Sequence, residues 1–194
     1  MMGSKVDSER LYFTERQTVQ LDSFDCESWV LDIGGGGEGV IGQLLGDKVI
    51  AIDPLKTELE ESPDTKSLKI VMDARELKFL DDAFNTVTCF FTMMYISSAD
   101  KQKVFQEIYR VLKPDGELLM WDAKIPPCQN AQKDIYVVSL VIQLEQKRIE
   151  TGYGTRWTGK GQDIDLYIQL GESAGLHVIE KQEEGETFFI RFRK

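Results

Sequence analysis

The chain has 194 residues, 33 acidic against 23 basic, and a net charge of −10; a nucleic-acid or anionic-membrane partner, which wants a basic stripe, is disfavoured. With one histidine, no CxxC pair and no run of eighteen apolar residues, neither a metal site nor a membrane-spanning helix is expected. The length fits one domain, 1–194, and Cys26, Cys89 and Cys128, odd in number and far apart, fit a reduced, cytoplasmic protein whose N-terminus carries no signal peptide.

Residues 1–28 read as an N-terminal cap segment, in which Tyr12, Phe13 and Arg16 either close over a ligand or belong to an ordinary packing helix. "WVLDI" (29–33) is a short apolar run ending at glycine, a buried strand. Helix signals run from Glu38 to Leu45, with Gly46 as the stop. "KVIAID" (48–53) is the second strand, and Pro54 opens a helix that Pro63 ends. "LKIVM" (68–72) and "TVTCFFT" (86–92) are the third and fourth strands. Val104, Phe105, Ile108, Val111 and Leu112 recur at helical spacing, "KPDG" (113–116) turns the chain, and "ELLMWD" (117–122) is the fifth strand.

Residues 123–162 read as a helical insertion or lid. Ile135, Val138, Ile142 and Ile149 mark one helical stripe across 131–149, widened by Val137, Val141 and Leu144. A glycine-rich connection, "TGYGTRWTGKGQ" (151–162), follows. Ile164, Tyr167, Ile168 and Ala174 form the last helix, closed by Gly175, and "HVIEKQ" and "TFFIRFR" make a hairpin about "EEGE". Strands alternating with helices predict an α/β fold with a doubly wound, mostly parallel sheet and an antiparallel C-terminal strand.

The densest signal is "LDIGGGGEGVIG" (31–42). A glycine-rich turn between strand and helix lets the backbone approach a ligand beyond the carboxyl ends of the strands. Gly34, Gly36 and Gly39 satisfy G-x-G-x-x-G, and Asp53 follows nineteen residues after Gly34, so an NAD(P)-dependent oxidoreductase is one reading. Asp32, directly before the glycines, would repel a pyrophosphate and attract an ammonium or sulfonium group. With Asp73 closing the third strand, three consecutive strands end in aspartate.

"VLDIGGGGEG", "AIDP", "MDARELKFLDDAFNTVTCFFTMMYI" and "VFQEIYRVLKPDGELLMWD", in this order and at this spacing, resemble the class I S-adenosylmethionine-dependent methyltransferases. The resemblance implies a three-layer Rossmann-like fold and S-adenosylmethionine as cofactor, leaving S-adenosylhomocysteine as product. By it, Gly34, Gly35 and Gly36 line the methionine part and Asp32 reaches the amino group. Asp53, followed by Pro54, accepts from the ribose hydroxyls. Asp73 and the Ala74 backbone serve the adenine, and the backbone near Phe90 meets the amino-acid end. The family's third glycine is Glu38 here, with Gly39 one place late; either the first helix starts shifted or Glu38 points away from the ligand.

Methyl transfer from a sulfonium is an in-line displacement, so positioning carries much of the work, and a general base is needed only if the acceptor must lose a proton. Tyr95 and Asp122, just past the fourth and fifth strands, are the weak catalytic candidates. Tyr12, Tyr153, Arg156 and Trp157 are substrate candidates, and His177 reads as structural. A small-molecule acceptor is expected; its identity, the oligomeric state and a non-catalytic cofactor-binding module remain open readings.

Overall fold

The computed structural model describes residues 8–26, 28–128, 132–157 and 161–194. In chain order the elements are β1 (Leu11–Phe13), β2 (Gln17–Gln20), β3 (Val30–Ile33), α1 (Val40–Leu45), β4 (Val49–Asp53), α2 (Lys56–Glu61), β5 (Leu68–Val71), β6 (Phe84–Phe90), α3 (Lys101–Val111), β7 (Leu112–Ala123), β8 (Ile135–Gln143), β9 (Arg148–Arg156), α4 (Ile164–Ala174), β10 (His177–Glu184) and β11 (Thr187–Arg193). Seven strands form the main sheet, ordered β10-β11-β7-β6-β3-β4-β5. From β7 to β5 every pairing is parallel. β11 runs antiparallel between β7 and β10.

The central strand β3 is buried at all four positions, as a strand covered on both faces must be. On one face α3 and α4 pack Phe105, Ile108 and Tyr167 against Met120, Ile190 and Phe192. On the other, Val40 and Ile41 of α1 and Leu59 of α2 join Leu119 and Trp121 of β7. Local signals fix the ends of α4: the Asp163 side chain accepts from the Leu166 N–H at 2.9 Å, and Gly175 closes the helix at φ 102°. The "KPDG" segment is not a free turn. It is a bulge inside β7, with Asp115 at φ 62° and a register slip between the pairs Phe84/Leu112 and Thr86/Glu117.

The insertion is not helical. Residues 135–143 and 148–156 are the strands of an antiparallel hairpin, β8–β9, and β1 and β2 both add in parallel to the other side of β8. The expected helical stripe over 131–149 and the expected loop over 151–156 are therefore corrected to strands; residues 129–131 and 158–160 lie outside the described residues, as do 1–7 and 27 of the cap segment. The reason is visible in the composition. Ile135, Val137, Val138, Val141 and Ile142 are β-branched, and Tyr136 through Val138 and Leu140 through Ile142 are buried on both faces. A run that is apolar throughout satisfies a helical stripe as readily as a strand. Nor is the N-terminal segment a packing helix: its β1 and β2 occupy one edge of this second sheet.

Tyr136, Val138, Leu140 and Ile142 face inward onto the main sheet and share a core with Val30, Phe90 and Trp121. The second sheet thus covers the part of the main sheet that α1 and α2 leave bare.

Candidate active site

A cleft of about 1110 Å³ lies beyond the carboxyl ends of β3 to β6, where a parallel sheet places its ligands. Gly34, Gly36 and Gly37 form its floor at the first strand. The glycine loop folds back onto β4: the Gly34 and Gly35 N–H groups both donate to the Ile52 carbonyl, at 2.8 and 3.0 Å. Only glycine fits two of these positions. Gly34 has φ +73°, and a Cβ there would sit 2.2 Å from the Thr92 hydroxyl oxygen. A Cβ on Gly36 would sit 2.6 Å from that of Glu58. α1 begins at Val40 with Gly39 left-handed at its N-cap. The helix therefore starts late, the first of the two alternatives for the displaced third glycine, and Glu38 still lines the cleft.

Three sequence-singled carboxylates gather at this rim but in different states. Asp32 is 2% exposed and accepts from the Thr88 hydroxyl at 2.8 Å. Burial, with Asp53 nearby, pushes its pKa up to about 7 despite the Thr88 bond. It does not line the cleft; it lies beneath Gly35, whose Cβ would fall 2.6 Å from its carboxylate. Asp53, the last residue of β4, lines the cleft, accepts from the Leu55 N–H at 2.8 Å, and is raised by burial. Asp73 sits two residues beyond β5. Arg75 grips it through Nε and Nη2 and through its backbone N–H, and also reaches Asp100 at 3.1 Å. Those bonds hold Asp73 below the usual carboxylate range. Pro54 and Ala74 complete this end.

The opposite end is aromatic. Phe90 ends β6 and Phe91 follows it, buried at φ 50°, an outlier for a bulky side chain. Its ring stacks on Tyr153 of β9 at 5.5 Å. Tyr95 stands on a short 3₁₀ turn, Met93–Tyr95, which β9 holds through the Thr155 hydroxyl, a donor to the Met94 carbonyl. Ile149, Lys147 and Arg148 bring the hairpin tip over the glycine loop. Burial and the neighbouring carboxylates push both Tyr95 and Tyr153 well above the ordinary phenol range. Neither is poised to serve as a base near neutral pH.

The methyltransferase-domain family pattern matches residues 31–120, from the glycine loop to the fifth parallel strand. These residues carry a methyltransferase domain of the class I S-adenosylmethionine-dependent kind. Such an enzyme takes its methyl from S-adenosylmethionine, and the dinucleotide reading of the glycines gives way. Similar curated proteins include the ubiquinone/menaquinone biosynthesis C-methyltransferases of Marinomonas sp. and Vibrio campbellii, both 28% identical. The alignments cover 93% and 80% of this chain, and 72% and 61% of those proteins. Among solved structures, an S-adenosylmethionine-dependent methyltransferase of Methanosarcina mazei superimposes with a TM-score of 0.62, 16% identity and coverage of 88% of this chain and 94% of that one. One from Aquifex aeolicus gives 0.57, 19%, 86% and 81%. These likenesses show the shared fold.

The remaining candidates of this methyltransferase lie away from the cleft. Tyr12 stacks on Tyr136 at 5.3 Å and meets Trp157 at 4.8 Å, a cluster that joins β1 to β8. Trp157 donates from its indole to the Pro126 carbonyl. Arg156 is exposed at the end of β9 and does not line the cleft. Asp122 is fully buried on the α3–α4 face. It accepts from the N–H groups of Met94 and Ala123 and from Gln162, and burial pushes it to about 6. It cannot touch a reactant; it holds the turn that carries Tyr95. His177 is exposed at the start of β10. Sequence reasoning did not single out Phe91, Thr92, Glu58, Arg75 or the hairpin tip, all of which line the cleft. The four-glycine run was a signal for Thr92, because a loop without side chains implies a neighbour pressed against it. Among the described residues no group of His, Cys, Asp or Glu could hold a metal ion, and no helix is long and apolar enough to cross a membrane.

Proposed function

We propose that this cleft binds S-adenosylmethionine along the ends of β3 to β6 and offers its methyl to a small, largely apolar acceptor between Phe90, Phe91, Tyr95 and Tyr153. The observation that carries the reading is the crowding of like charge around a loop without side chains. Glu58 is raised by burial and by the charges of Asp53, Glu61 and Glu38, and a cationic ligand relieves that crowding. Gly34 and Gly36 leave room where side chains would fill the floor. Asp53 is the ribose acceptor, charge-assisted at both hydroxyls, with Pro54 shaping the turn behind it. Asp73, already aimed by Arg75, and the Ala74 N–H take the adenine edge. The backbone at Phe90 meets the methionine end, and Gly35 keeps the loop flat over Asp32, which acts on the ligand as a buried field rather than by contact.

The bound cofactor supplies an activated methyl group. The chain's own residues orient the acceptor against it and exclude water. Phe91 and Tyr153 give a flat wall suited to a planar acceptor, and the acids of the cleft oppose an anionic one. The C-methyltransferase names of the relatives agree with an aromatic ring carbon as the acceptor atom. The hairpin region 123–162 serves as the lid, and Tyr12, Arg156 and Trp157 support it without touching substrate. We place the enzyme in the cytoplasm, where its three cysteines remain thiols.

Titration calorimetry with S-adenosylhomocysteine tests the reading. Saturable binding is expected, and absence of heat at roughly millimolar ligand overturns it.

A further inference from the structure

Glu38 occupies the place where the family carries its third glycine, and its side chain is engaged. The Thr151 hydroxyl donates to its carboxylate, and the Tyr153 phenol stands near the same carboxylate, whose charge helps to raise it. Thr151 and Tyr153 are both on the inward face of β9. The Glu38 carbonyl accepts from the Gln43 amide, whose oxygen in turn accepts from the Lys147 ammonium at the hairpin tip. Two tethers from one hairpin, Thr151 directly and Lys147 through Gln43, therefore converge on one residue of the glycine loop. The next inward residue of β9 holds the acceptor end: the Thr155 hydroxyl donates to the Met94 carbonyl at 3.0 Å.

A glycine at position 38 would offer no side chain to Thr151 or Tyr153. The hairpin would then keep Lys147 on Gln43 and the Phe91–Tyr153 stack, but lose its direct bond to the loop. The apolar contacts of β8 with the main sheet would persist, so the loss would fall on the tip and on β9 rather than on the whole second sheet.

We propose that Glu38 is the catch that fastens β9 across the glycine loop, and that its release opens the cleft for cofactor exchange. Glu38 is on this assignment a positioning residue. Because β9 also holds Met94 and Tyr95, release of the catch loosens the acceptor wall at the same time. The proposal rests on the reading of the cleft as the S-adenosylmethionine site, but the fastening itself is a property of the free protein.

Three variants in the full chain test it: Glu38→Gly, Glu38→Gln and Thr151→Val. Hydrogen exchange of residues 149–155 and 93–96 is measured first without ligand. Glu38→Gly and Thr151→Val are expected to exchange faster at both segments, roughly tenfold or more for Glu38→Gly, while Glu38→Gln, whose amide oxygen still accepts from the Thr151 hydroxyl, stays within about threefold of the parent. Dissociation of S-adenosylhomocysteine is then followed by stopped flow; the same ranking is expected, with Glu38→Gly releasing it at least about tenfold faster. Unchanged exchange and unchanged release in Glu38→Gly overturn the catch. So does equal loss in Glu38→Gln and Glu38→Gly, which would assign the carboxylate's charge to direct ligand contact. If the parent protein binds no S-adenosylhomocysteine, the functional reading fails while the ligand-free exchange still decides the catch. Thr151→Val keeps the test valid should the glycine variant not fold.

Discussion

At one end of the cleft, Asp53 and Asp73 stand at the ends of neighbouring strands of a single sheet, β4 and β5, and the Met72 N–H donates to the Asp53 carbonyl between them. At the other end, Tyr95 stands on a turn after β6 and Tyr153 on the second sheet, and the two parts meet through the Thr155–Met94 bond and the Phe91–Tyr153 stack. The first arrangement is dictated by topology: parallel strands in register must bring their last residues to one rim. The second depends on side chains that could be exchanged one by one. The polar end should therefore be costly to alter, and the aromatic end open to change in acceptor.

Asp32 offers the sharpest way to break this picture, because the topology forces it to be buried. Its pKa rises from 3.8 to about 7, so the folded state binds its proton more tightly than the unfolded chain. The associated stability is fully present below pH 4 and is lost as pH rises through 7, roughly 4 kcal/mol at most. The Asp32→Asn variant should shed this dependence. Its melting temperature relative to the parent should climb between pH 5 and 8, and parallel curves would refute the burial argument.

Gly34→Ala should come next, at about 3 kcal/mol of stability, from left-handed strain and the collision with Thr92; urea unfolding reads it directly. Asp53→Ala should leave stability nearly intact but weaken S-adenosylhomocysteine about a hundredfold by calorimetry, the loss of charge-assisted bonds to the ribose. At the aromatic end, Tyr95→Phe removes only the hydroxyl of a half-exposed ring and should cost about 1 kcal/mol at most, with cofactor affinity unchanged. Arg75→Ala should cost the fold least, under about 1 kcal/mol, since its ion pairs are about half exposed.

The difference between the ends also explains what could be read from the residues. Strands β3 to β7 and their helices carry end signals that point one way: Gly46 after α1, Pro63 after α2, Gly175 after α4. Asp53 and Asp73 follow from those strand ends, and both line the cleft. The hairpin β8–β9 carries no such punctuation. Its alternation is hidden because β8 is buried on both faces, and Gly152 and Gly154 in β9 read as loop residues although they are paired with Ser139 and Val137. Glu38 announced itself only as a departure from pattern, and its partners Thr151 and Tyr153 lie more than a hundred residues along the chain. Asp122 stood at a strand end like the others, but on an odd step of the pleat, so it faces the helices instead of the cleft.

The N-terminal strands have a temporal consequence. Leu11 pairs with Ile135, and Arg10 reaches Asp134 across 124 positions. During synthesis β1 and β2 must wait, unpaired, until nearly three-quarters of the polypeptide has emerged, bearing Tyr12 and Phe13 without their neighbours. The loop they finally close is among the longest in the molecule, and closing it late is entropically expensive. Trimming the first twenty residues would strip one edge from the second sheet, and the enzyme would then lose its hold on ligand well before it lost its seven-stranded sheet.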